Sequence, residues 1–188
     1  EGDYKHTVLC QIKRMVANFF WKFGEYENAS RLYENLMQYF EGTQQHDRSD
    51  NARVNLGILK SKLGEYEESD KLQNQCLEYR RKEYAKVNDG DTGEITKALR
   101  NLGQNAMAWR KFEKAKQYFT KCIDELRDVP SRAVAQNDIK GYIRFIEFCI
   151  SECDCLIEIR RIQFHERDDN MKVELLMNAM NETQQHKH

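Results

Sequence analysis

Apolar residues along this chain recur three and four positions apart, in rows separated by short polar stretches. Leu32, Tyr33, Leu36 and Met37 form one row, Leu72 and Cys76 a second, and Tyr118, Phe119, Cys122 and Ile123 a third. That spacing puts each row on one face of an α-helix. Just upstream of each row the chain nearly repeats itself. FGEYENA at 23–29, LGEYEES at 63–69 and WRKFEKA at 109–115 each run from a bulky residue through an aromatic to a small one. Asn-Leu-Gly stands at 55–57 and again at 101–103, at the same offset from the stretch that follows. The pattern predicts a unit of helix, tight turn and second helix, used three times. Self-similarity with a period of about 20 to 50 residues is the mark of a solenoid.

Each position in the unit has a physical reason. Glycine inside a helix costs about 1 kcal/mol against alanine, so Gly57 and Gly103 predict places where two helices approach closely. Gly24 and Gly64 fall where a first helix stops, and glycine there supplies the left-handed turn residue. Tyr26, Tyr66 and Phe112 follow as large amphipathic wedges between helices. Ala29, Ser69 and Ala115 are small because the antiparallel partner passes over them. Cys76 and Cys122 fall at one place in two units, where a small buried hydrophobe is wanted.

Together these positions resemble the tetratricopeptide repeat, whose signature W-x2-L-G-x2-Y…A-x3-F…P spans about 34 residues. Leu56-Gly57 and Leu102-Gly103 match the Leu-Gly pair; Tyr26/Ala29, Tyr66/Ser69 and Phe112/Ala115 match the later aromatic and small positions; Phe119 and Pro130 suit the third unit's end. The signature tryptophan is absent, Ala17 replaces an internal glycine and Arg110 replaces a turn glycine. The spacing is stretched: Gly24 to Gly64 is 40 residues and Leu56 to Leu102 is 46. The excess falls in long second helices, such as 72–87, and in the loop 88–94. Such long repeats look like those of kinesin light chains and related adaptors. The resemblance implies an all-α solenoid over 1–130, with repeats at about 3–47, 48–90 and 91–130, followed by a helical extension and polar tail over 131–188.

The connecting segments agree with helices. The polar run 40–50 ends on Ser49 and Asp50, either of which is placed to cap the next helix. Asp91 with Glu94 reads as a capping-box variant. DGDTGE also suggests a calcium loop, but counting from Asp89 the sixth and twelfth places hold Glu94 and Arg100 instead of glycine and an acid. After Pro130 the repeat fades. Ile139, Tyr142, Ile143, Ile146, Cys149, Ile150, Cys153 and Ile157 keep helical spacing without a turn signal. This predicts one long helix, or two broken weakly near Ser151, and then an amphipathic segment at 171–180. Covering the last apolar face is the plain role for such a terminal unit; recruiting a partner is the sharper one.

Composition narrows the function classes. Lys+Arg total 30 and Asp+Glu 31, for a formal net charge of −1. So even a balance gives no global pull toward nucleic acid or membrane. A single proline among many helix formers fits an all-α chain. No apolar run approaches the ~20 residues that cross a bilayer, and EGDYKHTVLC lacks the layout of a signal peptide. The chain starts on Glu1 and not methionine, as a fragment or processed product would. Six cysteines without a secretory signal read as reduced thiols in a cytoplasmic protein, with a cytoskeletal or ciliary setting as one form of that.

Catalytic signatures are missing: no P-loop, no GxSxG, and His165-Glu-Arg-Asp-Asp169 ends on aspartate where HExxH needs histidine. Cys149 and Cys153 share a helix face near Cys155, but zinc would need His186 and His188 to fold back as further ligands. The expectation is no enzyme, no metal and no cofactor.

The family resemblance points instead to the first helices, which in tetratricopeptide proteins line a concave peptide groove. A carboxylate-clamp subset holds a partner's C-terminal carboxylate with basic residues and asparagines. Carried onto this chain, the clamp falls on Arg14 and Asn18, on Asn55, and on Lys97 and Asn101, where Asn101 departs from the basic residue expected and Arg100 is adjacent. Arginine forks bidentately onto a carboxylate, and asparagine satisfies a peptide backbone in both directions. The same residues equally suit a solvated face and a backbone-fixing asparagine. Two functions follow: an adaptor binding an acidic, extended or helical segment of another protein, or a structural part of a multiprotein complex, such as a ciliary or motor-cargo assembly, packing through its edges.

Overall fold

The computed structural model describes residues 2–84, 92–127 and 136–185. Over them the chain forms α1 (Gly2–Lys22), α2 (Tyr26–Gly42), α3 (His46–Lys62), α4 (Tyr66–Tyr84), α5 (Thr92–Ala108), α6 (Phe112–Arg127) and α7 (Gln136–Gln185), with no strand among them. Each helix packs on the next, and α3 also touches α5 across the intervening helix. This is an α-solenoid of hairpins.

The turns show why the short motifs recur. At the end of α1 the Glu25 N–H donates to the Phe20 carbonyl at 2.9 Å and Gly24 N–H to Trp21 at 3.0 Å. Those two bonds are a Schellman motif, which requires a left-handed residue between them. Gly24 and Gly64 supply it at φ of 79° and 80°. Gln44, after α2, and Arg110, after α5, take the same conformation at 57° and 59°, closed by Gln45 N–H to Phe40 and Lys111 N–H to Ala106. Arg110 therefore replaces the glycine without changing the turn, at the steric cost of a side chain in that region.

The internal glycines sit where expected. A Cβ on Gly103 would lie 2.5 Å from the ring of Phe119, and one on Gly57 would lie 2.7 Å from Gln73 Nε2. Into the space beside Gly57, Gln73 Nε2 reaches to donate to the Val54 carbonyl at 3.1 Å. Ala29, Ser69 and Ala115 are buried, as are Cys76 and Cys122. The two thiols do the same job: each donates to a carbonyl of its unit's first helix, Cys76 to Asp50 and Cys122 to Thr96.

Two apolar clusters result. One runs from Cys10 and Ala17 through Tyr33, Leu36 and Phe40 to Leu56, Leu59 and Leu72. The other runs from Leu77 through Leu99, Leu102, Phe119 and Cys122 to Ile146, Cys149 and Cys153. Where they meet, Arg80 of α4 donates to Asp50 Oδ2 of α3 at 2.9 Å and to the Glu94 carbonyl of α5 at 2.8 Å. This buried cation ties the second hairpin to the third.

Two sequence expectations change. Ser49 and Asp50 do not cap α3: the helix starts at His46 with Gln45 at the cap position, and both residues are buried inside it. The helix begins three residues before Ser49, so both lie inside its first turns, and Asp50 Oδ2 accepts from Arg80 instead. The C-terminal region is one helix, α7, unbroken at Ser151 and through 167–170. Ser151 is exposed and carries no helix-breaking chemistry. Residues 85–91, which include the end of the helix expected over 72–87, Asp91 and most of the loop expected over 88–94, lie outside the described residues, as do Pro130 and the His186/His188 pair.

Candidate functional site

The first helices carry the candidate residues because their unpaired sides meet. Between α1 and α3, floored by α2, lies a cavity of about 400 Å³ lined by Arg14, Asn55, Arg48, Asn51, Gln11 and Tyr33 with apolar neighbours such as Leu36 and Phe40. Two guanidiniums face it, and among the described residues no carboxylate lines it. Arg14 forms no ion pair among the described residues. Arg48 donates to Gln45 Oε1 at 2.9 Å and lies 5.8 Å over the Phe40 ring. A cavity walled by cations and asparagines over an apolar floor is complementary to an anion carried on an apolar or backbone scaffold.

The neighbouring polar groups are held in place. The Tyr33 hydroxyl donates to Asn18 Oδ1 at 2.6 Å, fixing the asparagine one turn beyond Arg14. Burial pushes the Tyr33 hydroxyl above its ordinary pKa, while the Arg14 charge pulls against that shift, so the guanidinium's field reaches the cavity floor. Asn55 Nδ2 donates to the Asn51 carbonyl at 3.1 Å. A wall fixed this way needs little reordering to bind.

Of the six residues expected from the sequence, Arg14 and Asn55 line this cavity and Asn18 stands beside it. Lys97, Arg100 and Asn101 do not line it. Lys97 is exposed and paired with Glu94 one turn earlier. Asn101 is buried. The Arg100 guanidinium lies 5.8 Å over the ring of Tyr142, so it belongs to the contact between α5 and α7. Tyr142, wedged there beside Cys122 and Arg100, is pushed up to about 12, chiefly by burial.

Sequence reasoning missed Arg48, Asn51 and Gln11. The signal was present: Gln11 and Arg14 are three apart, and Arg48, Asn51 and Asn55 follow at three and four, the face-sharing intervals of a helix.

A second concavity, about 470 Å³, lies between the turn at Arg110 and α7, lined by Arg110, Arg160 and Arg167 with Phe112, Phe164 and Leu156. Among the described residues no group of three His, Cys, Asp or Glu side chains is placed to hold a metal. Nor is any described helix long and apolar enough to cross a membrane. Five cysteines are buried and Cys155 is exposed.

Two family models described as tetratricopeptide repeat match the chain, one over residues 9–82 and one over 96–125. A search of curated proteins returns no match. Among solved structures, the crystal structure of BtubC (BKLC) from P. vanneervenii is similar, with a TM-score of 0.58 at 15% sequence identity. The likeness covers 82% of this chain and 65% of that one, so this chain spans less than two thirds of the neighbour's length. At that identity the shared property is the fold.

Proposed function

This chain belongs to the tetratricopeptide-repeat family, and on that footing we propose that it is a non-enzymatic adaptor that seats an acidic segment of another protein between α1 and α3. Repeats of this family generally mediate protein–protein interaction. The observation carrying the finer reading is the cavity itself: Arg14 and Arg48 face one space with Asn51 and Asn55, and no carboxylate among the described residues lines it. A partner's C-terminal carboxylate, or an Asp or Glu side chain, would take the two guanidiniums. Its backbone amides would meet the asparagines, and its apolar side chains the Leu36 and Phe40 floor. The three hairpins form the binding body and α7 covers its last face through Ile146, Cys149 and Cys153. Lys97, the exposed member of the α5 trio, would be reached only by a ligand long enough to extend to α5.

Peptide titration tests this. Acidic peptides with free or amidated C-termini are titrated against the wild type, Arg14→Glu/Arg48→Glu and Lys97→Glu. Loss of binding in the double variant, with Lys97→Glu unaffected, supports a site confined to the cavity. Sensitivity to amidation identifies the terminal carboxylate as the anchor, and loss on Lys97→Glu as well extends the site to the third hairpin. Equal binding by wild type and the double variant refutes the cavity as the site.

The alternative reading, a structural subunit packing through its edges, draws support from a different observation: apolar side chains exposed along α1 and α7.

A further inference from the structure

α7 does not turn back where α5 does. It runs past the turn at Arg110, and the space framed between them is the second concavity, about 470 Å³. Leu156, Ile159, Arg160, Gln163, Phe164 and Arg167 line it from α7, at steps of 3, 1, 3, 1 and 3 residues that keep to one face of a helix. Arg110 and Phe112 line it from the turn. Arg160 Nη1 donates to the Arg110 carbonyl at 3.4 Å, which brings these two arginines together.

Three guanidiniums therefore share one space, and none of them forms an ion pair among the described residues. The acids of the neighbourhood, Glu113, Glu152, Asp154, Glu158, Glu166 and Asp168, do not line it. Another face of α7 behaves differently. There Lys116, Asp154, Glu158 and Arg161 line a concavity in which Lys116 pairs with Asp154 at 2.6 Å and Arg161 with Glu158 at 3.5 Å. One side of the helix balances these charges within the chain; the other leaves three cations open. Backbone conformation adds an independent sign. Gly24 and Gly64 hold the matching left-handed place in the first two hairpins, whereas Arg110 holds it with a side chain at φ 59°. Residues kept in strained conformations cluster at functional sites, and what arginine adds over glycine here is a guanidinium on the rim of the cavity.

We propose that this concavity binds a phosphotyrosine side chain of a partner protein. A phosphate monoester carries about −1.5 to −2 charge at pH 7 and three acceptor oxygens, which suits three guanidiniums; a carboxylate offers one charge and two oxygens. Arg160 and Arg167 stand two helical turns apart, about 10 Å along the axis, within reach of one phosphate held between them. Phe112, Leu156, Ile159 and Phe164 supply an apolar wall for the ring, and Ile159 and Phe164 are exposed there. Phosphotyrosine joins ring and anion in one side chain. A nucleic-acid strand fits less well, because it needs a basic track along its backbone, and Asp154 and Glu158 interrupt the cations of α7. The site shares no residue with the cavity between α1 and α3.

The test is retention of peptide libraries by the 188-residue chain. The probes are short peptides degenerate around one fixed phosphotyrosine, with matching tyrosine and phosphoserine libraries, and retained phosphotyrosine peptides are then titrated against variants. Arg160→Gln/Arg167→Gln removes the charge of two exposed side chains. Arg110→Gly removes the third guanidinium and spares the turn. Arg161→Gln makes a like charge change on the other face of α7. The expected result is retention of the phosphotyrosine library above both others. Affinity should fall roughly tenfold or more in Arg160→Gln/Arg167→Gln and in Arg110→Gly, and stay unchanged in Arg161→Gln. Because Arg110→Gly should melt higher than the wild type, its loss of binding would not come from unfolding. A phosphotyrosine library retained no better than tyrosine, or no better than phosphoserine, overturns the proposal. So does binding that survives Arg160→Gln/Arg167→Gln, or an equal loss in Arg161→Gln, which would reduce the effect to net charge. Tighter binding of a single-stranded oligonucleotide, lost in the same variants, would assign the arginines to nucleic acid instead.

Discussion

Arg80 offers the sharpest test of how the hairpins are joined. Its side chain is 4% exposed and contacts Asp50 Oδ2 at 2.9 Å, Glu94 Oε2 at 3.1 Å and the Glu94 carbonyl at 2.8 Å. Arg80→Met keeps the aliphatic stem and removes the charge. Asp50 is then left 6% exposed, with Arg53 at 3.6 Å as its remaining cation; its Oδ1 already lacks a hydrogen-bond partner. Removing one partner of a buried ion pair costs about 3–5 kcal/mol, with Arg53 placing this case toward the lower end. Replacing both partners, as Arg80→Met/Asp50→Leu, removes the orphaned charge and should recover most of that loss. Because Arg80 spans α3, α4 and α5, the single variant should also uncouple the second hairpin from the third. Solenoid stability is a sum of unit and interface terms, so weakening one interface splits a cooperative transition. Urea unfolding followed by circular dichroism reads both effects: a lowered midpoint and a broadened or two-step curve for the single variant, with recovery in the double. A single variant within about 0.5 kcal/mol of wild type, the range of a neutral surface change, would refute the reasoning. A double variant worse than the sum of the two singles would refute it equally.

Other predictions follow from individual positions. Leu102 is fully buried in the second cluster, so Leu102→Ala should cost about 2–5 kcal/mol in the same urea assay, as for other core leucines. Arg110 holds a left-handed turn conformation at φ 59°; Arg110→Gly should raise the melting temperature, since the strain relieved is about 1–2 kcal/mol and glycine's added unfolded-state entropy offsets only part of it. Burial pushes the thiols of Cys122 and Cys153 up to about 11 from an ordinary 9.0. The unfolded chain therefore ionises first. Stability from these thiols is fully present below pH 9.0 and is lost as pH rises toward about 11; melting temperature should fall over that window, and less steeply in Cys122→Ala. Cys155 alone is exposed, so a thiol reagent should label one cysteine rapidly in the native protein and all six in denaturant.

Much of the fold was legible in the sequence because it is local. Helical periodicity, a left-handed residue at each turn and small residues under a crossing helix act within a single hairpin. The same hairpin written three times made each signal readable against the others. Gly57 and Gly103 announced close approaches because glycine in a helix interior is otherwise costly, and the resemblance to tetratricopeptide repeats followed from those positions. What the sequence could not decide were contacts between residues distant along the chain. Ser49 and Asp50 look like helix caps from composition, yet Asp50 is the partner of Arg80, thirty residues away. Ser151 left a break in α7 open because serine is only a middling helix former, and the helix runs through it unbroken. The candidate site divides the same way. Arg14 and Asn55 were identifiable by helix register. That Arg48 joins them while Arg100 turns to Tyr142 was decided by how adjacent hairpins stack, because that sets which residues of separate helices face one space. Arg110, Arg160 and Arg167 were present in the sequence all along. Only the tertiary structure showed that they share one concavity, since what a side chain faces is a property of its neighbours and not of its own identity.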